Sequence, residues 1–200
     1  MTLKEEPFVA SVLSEDAASR ISCLETEIQE DVGKRGIAQL HIPDELVKAA
    51  LVLSRSASVA IHFGFPCNTS QEFPDENDGP PGAIAIGKAV KALGKNVAFI
   101  ARSYQVELVR KLVGKFLGDE VTVLEFAPVR THGPDRVRTA TEEFLFHDGS
   151  NQVRPKFDAL VAIEATSRTD QGCYMTMKGR DLSIVCKDSP VDELFIQGTY

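Results

Sequence analysis

Residues 58–101 read SVAIHFGFPCNTSQEFPDENDGPPGAIAIGKAVKALGKNVAFIA, and this stretch decides the fold. Its first six residues, Ser58–Phe63, form a short apolar run with β-branched residues, the pattern of a buried strand. A loop rich in proline, glycine and acids follows, from Gly64 to Pro81. From Gly82 to Leu93, the residues Ala83, Ile86, Ala89, Val90 and Leu93 recur on one helical face, and Gly94 supplies the stop. Asn96–Ala101 is again apolar and strand-like. Strand, helix and strand in this order make a βαβ unit, which requires parallel strands.

The same alternation continues outward. Toward the C-terminus the spacing predicts a helix over 106–117 ended by Gly118, and a strand over 120–126. A polar loop over 127–138 and a short helix over 141–146 come next, then a strand over 157–163 that ends at Glu164. Residues 165–181 are polar and irregular. A fifth short strand is expected over 182–186 and a last helix over 190–196. Toward the N-terminus, Ala18, Ile21, Leu24, Ile28 and Val32 recur at helical spacing behind Ser14, a good N-cap, with Gly33 and Gly36 after them. Pro43 opens a second short helix through Leu46, Ala49, Ala50 and Leu53. The expected fold is α/β: one three-layer Rossmann-like domain over residues 1–200, with a mostly parallel sheet flanked by helices. Residues 1–55 form its helical lead-in and residues 56–200 its βαβ core.

Composition narrows the function. The chain has 200 residues, with 22 Lys and Arg against 29 Asp and Glu, a net charge of −7. That balance argues against a nucleic-acid binder, which carries a basic footprint. No apolar run reaches the ~18–20 residues of a membrane-spanning helix. The four cysteines, Cys23, Cys67, Cys173 and Cys186, show no CxxC spacing, so free thiols in a reducing compartment are expected rather than a zinc site. The N-terminus lacks both a signal-peptide core and a transit-peptide composition. Asn68-Thr69-Ser70 matches a glycosylation sequon, read here as chance.

In open parallel sheets ligands bind beyond the carboxyl ends of the strands. That rule selects the loops after the first and fourth core strands. The first carries Glu72, Asp75, Glu76 and Asp78 and feeds Gly79-Pro80-Pro81-Gly82 at a helix start. Its acids suit a divalent cation, Mg²⁺ or Mn²⁺, or a substrate ammonium group, and the helix start suits an anion. The alternative is a solvated acidic loop in which Asp78 only caps a helix. In the second loop Glu164 sits at a strand end, followed by Arg168, Asp170, Gly172 and Tyr174. Arginine grips carboxylates in bidentate fashion, and tyrosine donates to oxyanions. The alternative is a surface ion pair of Arg168 with Asp170, with Tyr174 packed. His62, inside an apolar strand, reads as a core histidine. Cys67 sits among acids that raise a thiol pKa. His132 and His147 fall in polar segments. GxGxxG, P-loop, HExxH and GxSxG patterns do not occur.

Together the two loops resemble the D-glutamate cyclase C-terminal domain family. That family shows Gly-Phe-Pro, a variable insert, then Glu-Thr-Asp-Gly-Pro-Pro-Gly-Ala. Glu76, Asp78, Gly79, Pro80, Pro81, Gly82 and Ala83 match, with Asn77 in place of the threonine. In the second signature Glu164, Arg168 and Tyr174 match, and Gln171 splits Asp170 from Gly172. The resemblance covers about residues 30–200. It implies conversion of D-glutamate to 5-oxo-D-proline and water, without an organic cofactor. It also implies proton transfers by Glu164 or Asp78, with Glu76 and Asp78 on the ammonium or a cation. The substrate would be bound through Gly79, Gly82, Arg168, Asp170 and Tyr174. Animal members are mitochondrial, whereas the N-terminus alone suggests the cytoplasm. The family's Gly-Asp-Gly-Gly-Asn-Glu motif would follow Tyr200, so a shortened member with an exposed sheet edge, prone to self-association, is expected. The competing readings are a small-molecule or anion-binding protein without turnover, and a metal-dependent enzyme on a phosphorylated substrate.

Overall fold

The computed structural model describes residues 14–34, 36–147 and 154–198. The reading of the first residues as lacking a targeting segment lies outside them. The chain divides into two compact units, residues 1–55 and 56–200.

The first unit holds α1 (Glu15–Ile28) and α2 (Glu45–Arg55). Ser14 caps α1, its Oγ accepting from the backbone N–H of Ala17 at 3.2 Å. The helix stops at Ile28, short of the expected Val32. Its expected apolar face is not the buried one: Leu24 and Ile28 are exposed, while Glu25 is buried. The reason is a cap. The Glu25 carboxylate accepts from the backbone N–H groups of Asp44 and Leu46, both at 3.0 Å, and so closes the start of α2. Those bonds, led by Leu46, hold its pKa below the ordinary value.

The second unit is built on a four-stranded parallel sheet. Its elements are β1 (Ser58–Gly64), α3 (Gly79–Ala92), β2 (Asn96–Ala101), α4 (Val106–Phe116), β3 (Thr122–Glu125), α5 (Pro128–His132), α6 (Val137–Leu145), β4 (Phe146–His147), β5 (Arg154–Pro155), β6 (Ala159–Ala165), α7 (Ser183–Cys186) and α8 (Asp192–Gln197). The sheet order is β3-β2-β1-β6, and β4 and β5 form a separate antiparallel pair. The α/β expectation of a mostly parallel sheet flanked by helices is what the chain forms. Two local expectations fail. Residues 182–186 are a helical turn, not a strand: the Asp181 carboxylate accepts from the Ser183 N–H at 2.7 Å and starts that turn. The 127–138 segment is not a plain loop but contains α5 and a 3₁₀ turn at Pro134–Arg136.

The two faces of the sheet have different partners. On one face α3 lies close because Gly87 has no side chain; a Cβ there would sit 2.9 Å from Phe99 Cζ and 2.9 Å from Leu117 Cδ2. Phe63 and Phe99 meet edge to face on that side, 6.4 Å between centroids. On the other face Ala60 and Ile100 pack with Phe126, Leu145, Val191 and Leu194. Asp158 ties the starts of β1 and β6, its carboxylate accepting from the N–H groups of Ala57 and Ser58 at 2.7 and 2.9 Å. The chain steps outward from β1 to β2 to β3, then returns past β1 to β6. The strand order therefore reverses between β1 and β6, and the crevice beyond their carboxyl ends is the place where this architecture receives ligands.

Candidate active site

Three acids meet at that reversal. Glu76 and Asp78 come from the loop after β1, and Glu164 from the end of β6. One carboxylate oxygen from each lies within 4.8 Å of the others, and all three side chains are exposed. Backbone geometry makes the meeting possible. Pairing of β1 with β6 slips by one residue between Phe63 and Gly64, which leaves Glu164 as the extra residue of a bulge. Its φ is +45°, an uncommon value for a residue with a Cβ. Gly79 completes the fit: a Cβ there would be 3.2 Å from the Cβ of Glu164. The bare glycine lets Glu164 approach the start of α3.

Asp78 occupies the N-cap position of α3, yet its side chain makes no capping hydrogen bond. The alternative in which it only caps the helix is thus not what its carboxylate does. Pro80 and Pro81 lack N–H groups, so of the four positions from Asp78 to Pro81 whose N–H groups the helix leaves unpaired, only Asp78 and Gly79 carry a donor; the N–H of Gly82 closes the first helical turn on the Asp78 carbonyl. Gly82 lies against β6, where a Cβ would be 3.4 Å from Ile163 Cγ2.

A cleft of about 540 Å³ opens beside the acids. Phe63, Phe73, Ile84, Leu112 and Phe116 give it an apolar lining, and Asp75 and Glu76 stand on its wall. Its size is that of a small-molecule pocket. Asp75 faces a buried knot. Its carboxylate accepts from Tyr104 Oη at 2.8 Å and from the side-chain amide of Gln105, and burial raises its pKa despite these bonds. Gly64 is fixed in the same knot at φ +125°, where a Cβ would fall 2.1 Å from Gln105 Nε2. Burial, then the neighbouring Glu76, pushes the Cys67 thiol up, as its acidic surroundings led one to expect.

The remaining residues selected from the sequence lie elsewhere. Arg168 is engaged with the chain itself. Its backbone N–H and Nε donate to Asp192 Oδ2 at 3.1 and 2.8 Å, and Nη2 donates to the Glu193 carboxylate. The expected alternative, an ion pair with Asp170, is replaced by this pairing to α8. Tyr174 is buried and donates to Asp192 Oδ1 at 2.7 Å. Burial, then that bond, raises its pKa. Asp170 is exposed on the turn closed by the Gly172 N–H and the Thr169 carbonyl. His62 is the core histidine expected, fully buried, with Nδ1 2.9 Å from the Ile100 carbonyl. The four cysteines are free thiols.

Sequence reasoning missed two groups. Asp192 and Glu193, which hold Arg168 and Tyr174, sit in a short helix with no motif of their own. Arg102, Tyr104 and Gln105 follow the carboxyl end of β2, so the strand-end rule applied there also would have found them.

The family described as D-glutamate cyclase-like, C-terminal, matches residues 24–199. The chain belongs to this family. It is 38% identical over 194 residues to a human protein named D-glutamate cyclase, mitochondrial. That match takes in 97% of this chain and 31% of the human protein, so the chain spans about a third of that relative's length. Within the family's matched region lie both ligand-side loops, the three acids and the apolar cleft.

One oxygen from each of three carboxylates, all within 4.8 Å of one another, is the donor type that a hard, oxygen-preferring dication such as Mg²⁺ or Mn²⁺ takes. When bound, such an ion would supply positive charge beside substrate oxygens. Glu76, Asp78 and Glu164 would hold it.

Proposed function

We propose that this chain carries the site for converting D-glutamate to 5-oxo-D-proline and water, a hydro-lyase reaction without an organic cofactor. The observation that carries the reading is the meeting of Glu76, Asp78 and Glu164 at the reversal of strand order. Family membership supports it, together with the name of the human relative. The reaction closes one bond inside one molecule, so holding both ends in a bent conformation removes most of the entropic barrier. The substrate ammonium rests against the acids. Glu164 or Asp78 takes one of its protons. The freed amine attacks the γ-carboxyl carbon, and a tetrahedral intermediate forms. The same carboxyl group then returns that proton to the departing oxygen and relays to it a second one released by the attacking nitrogen, so that the oxygen leaves as water and the amide forms. The N–H group of Gly79, at the unpaired start of α3, is a donor available to the oxyanion. A mitochondrial location is part of the proposal and rests on the name of the relative. No nucleic-acid or membrane partner is proposed, and self-association through the β6 edge is.

Incubation with D-glutamate and with L-glutamate, with and without Mn²⁺, followed by chiral chromatography of 5-oxoproline, tests the reading. Product from the D-isomer, lost in Glu164→Gln and Asp78→Asn, is the expected result. Full turnover by both variants would remove these acids from the mechanism. No turnover by a folded chain would leave a binding protein.

A further inference from the structure

Arg102 lies two residues beyond Ile100, immediately after β2, and is fully buried. Its Nη1 donates to the Gly64 carbonyl at 3.1 Å, which anchors the end of β1. Its Nε and Nη2 have no partner among the described residues. Those two atoms form the edge of a guanidinium that matches a carboxylate in parallel. Arg168 shows the same edge filled, by Asp192 and Glu193. Asp75 does not fill it in Arg102, since Tyr104 and Gln105 take the Asp75 oxygens. A buried guanidinium whose bidentate edge has no hydrogen-bond partner leaves two charged N–H groups to be satisfied, and the charge of Asp75 nearby does not supply those bonds.

His62 is paired with Ile100 across the sheet and shares its face. A carbonyl only accepts, so Nδ1 of His62 carries the proton given to Ile100. Its buried Nε2 is then a lone pair, also without a partner among the described residues. Burial, then the charge of Arg102, keeps the ring neutral, with its pKa lowered to about 3.

We propose that the Nε–Nη2 edge of Arg102 is the receptor for a ligand carboxylate, with His62 Nε2 accepting from an adjacent N–H of the same ligand. Two donors beside one acceptor complement an α-amino acid, or a lactam that bears a carboxylate. The inference deepens the cyclase reading and rests on it for the identity of the ligand. It assigns the substrate's α-carboxylate to Arg102 and one ammonium N–H to His62, leaving the other ammonium protons to the three acids and the reacting carboxyl to the start of α3.

Arginine Nε–Hε resonances of the full chain, with Arg102 assigned through its own backbone, are followed during titration with D-glutamate and with 5-oxo-D-proline. The second probe carries the carboxylate and the N–H but has no amine left to react. A saturable shift of the Arg102 signal is expected, with binding of 5-oxo-D-proline at least tenfold weaker in Arg102→Lys. An Arg102 signal that neither probe moves overturns the proposal, and this readout needs no variant to fold. Turnover of D-glutamate with an unmoved Arg102 signal would refute the receptor and leave the cyclase reading standing. A shifted signal without turnover would do the reverse.

Discussion

His62 should make this protein acid-sensitive by an amount that can be worked out. In the folded chain its pKa is lowered to about 3, because burial, and then the charge of Arg102, disfavour the imidazolium. In the unfolded chain it returns to about 6.5. The folded pKa is the lower one, so below pH 6.5 the unfolded state binds a proton that the folded state refuses. The contribution of His62 is therefore whole above pH 6.5 and is lost as the pH falls toward 3. At ~1.4 kcal/mol per unit, the loss is about 2 kcal/mol by pH 5 and ~5 kcal/mol at the lower end. A domain holds only about 5–15 kcal/mol in total, so the effect is visible. The comparison protein is His62→Asn. Its amide N–H reaches the position of Nδ1 and keeps the bond to Ile100, but it does not titrate. The smaller side chain costs stability at every pH and leaves the slope alone. Other titrating groups, among them the raised Asp75 and the lowered Glu25 and Asp181, are common to both proteins and cancel in the difference. Urea unfolding at pH 7, 6 and 5 should show the natural chain losing about 2 kcal/mol more than His62→Asn. Parallel losses, within ~0.5 kcal/mol, would refute the reasoning and mean that His62 is protonated in the folded state well above pH 5.

Gly64→Ala places a methyl group 2.1 Å from Gln105 Nε2 at φ +125°. Backbone strain plus a broken buried knot should cost ~3 kcal/mol or more, read as a fall in melting temperature. Tyr174→Phe removes a 2.7 Å bond to the buried Asp192 carboxylate, and urea unfolding should show a loss of about 1.5–3 kcal/mol. Mn²⁺ should raise the melting temperature of the natural chain, because it binds the folded state, and this rise should vanish in Glu164→Gln. Gly79→Ala pushes against the Cβ of Glu164 at 3.2 Å, so D-glutamate turnover should fall about tenfold, as a ~1 Å displacement of a reacting group can cost that much or more.

The parts of the fold that could be read from the sequence are those with a strong local pattern. β1 and β2 are continuous, mostly apolar runs, one ending at Gly64 and the other beginning after Gly94, and the sheet buries them on both faces, so their limits agree with the reading to within a residue. Glu164 was legible for the same reason: a charged residue ending an apolar run marks a strand end. Residues 182–186 were not, because a five-residue apolar run does not distinguish a strand from a helical turn, and the deciding bond comes from the Asp181 side chain. The face of α1 was misjudged because its periodicity is genuine but the cap that buries Glu25 is 19 residues away. The partners of Arg168 were hidden by distance as well, since Asp192 lies 24 residues on. Spacing within a segment says nothing about such contacts.

The start of α3 shows why the site combines two features that seem opposed. A helix N-terminus carries partial positive charge, which stabilises nearby carboxylates. Ordinarily its free N–H groups also bind those carboxylates and use them up as caps. Here Pro80 and Pro81 remove two of the four donors, and Asp78 makes no capping bond. The field of the helix remains, while the hydrogen bonds that would consume the acids are fewer. Glu76, Asp78 and Glu164 are therefore held close together without being neutralised by the chain. In the proposed reading, their bonding capacity serves an ammonium group or a cation. Arg168, by contrast, already commits its Nε and Nη2 to Asp192 and Glu193. In the proposed reading the anionic end of a ligand is met by other donors, which the described residues offer at Gly79 and on the unpartnered edge of Arg102.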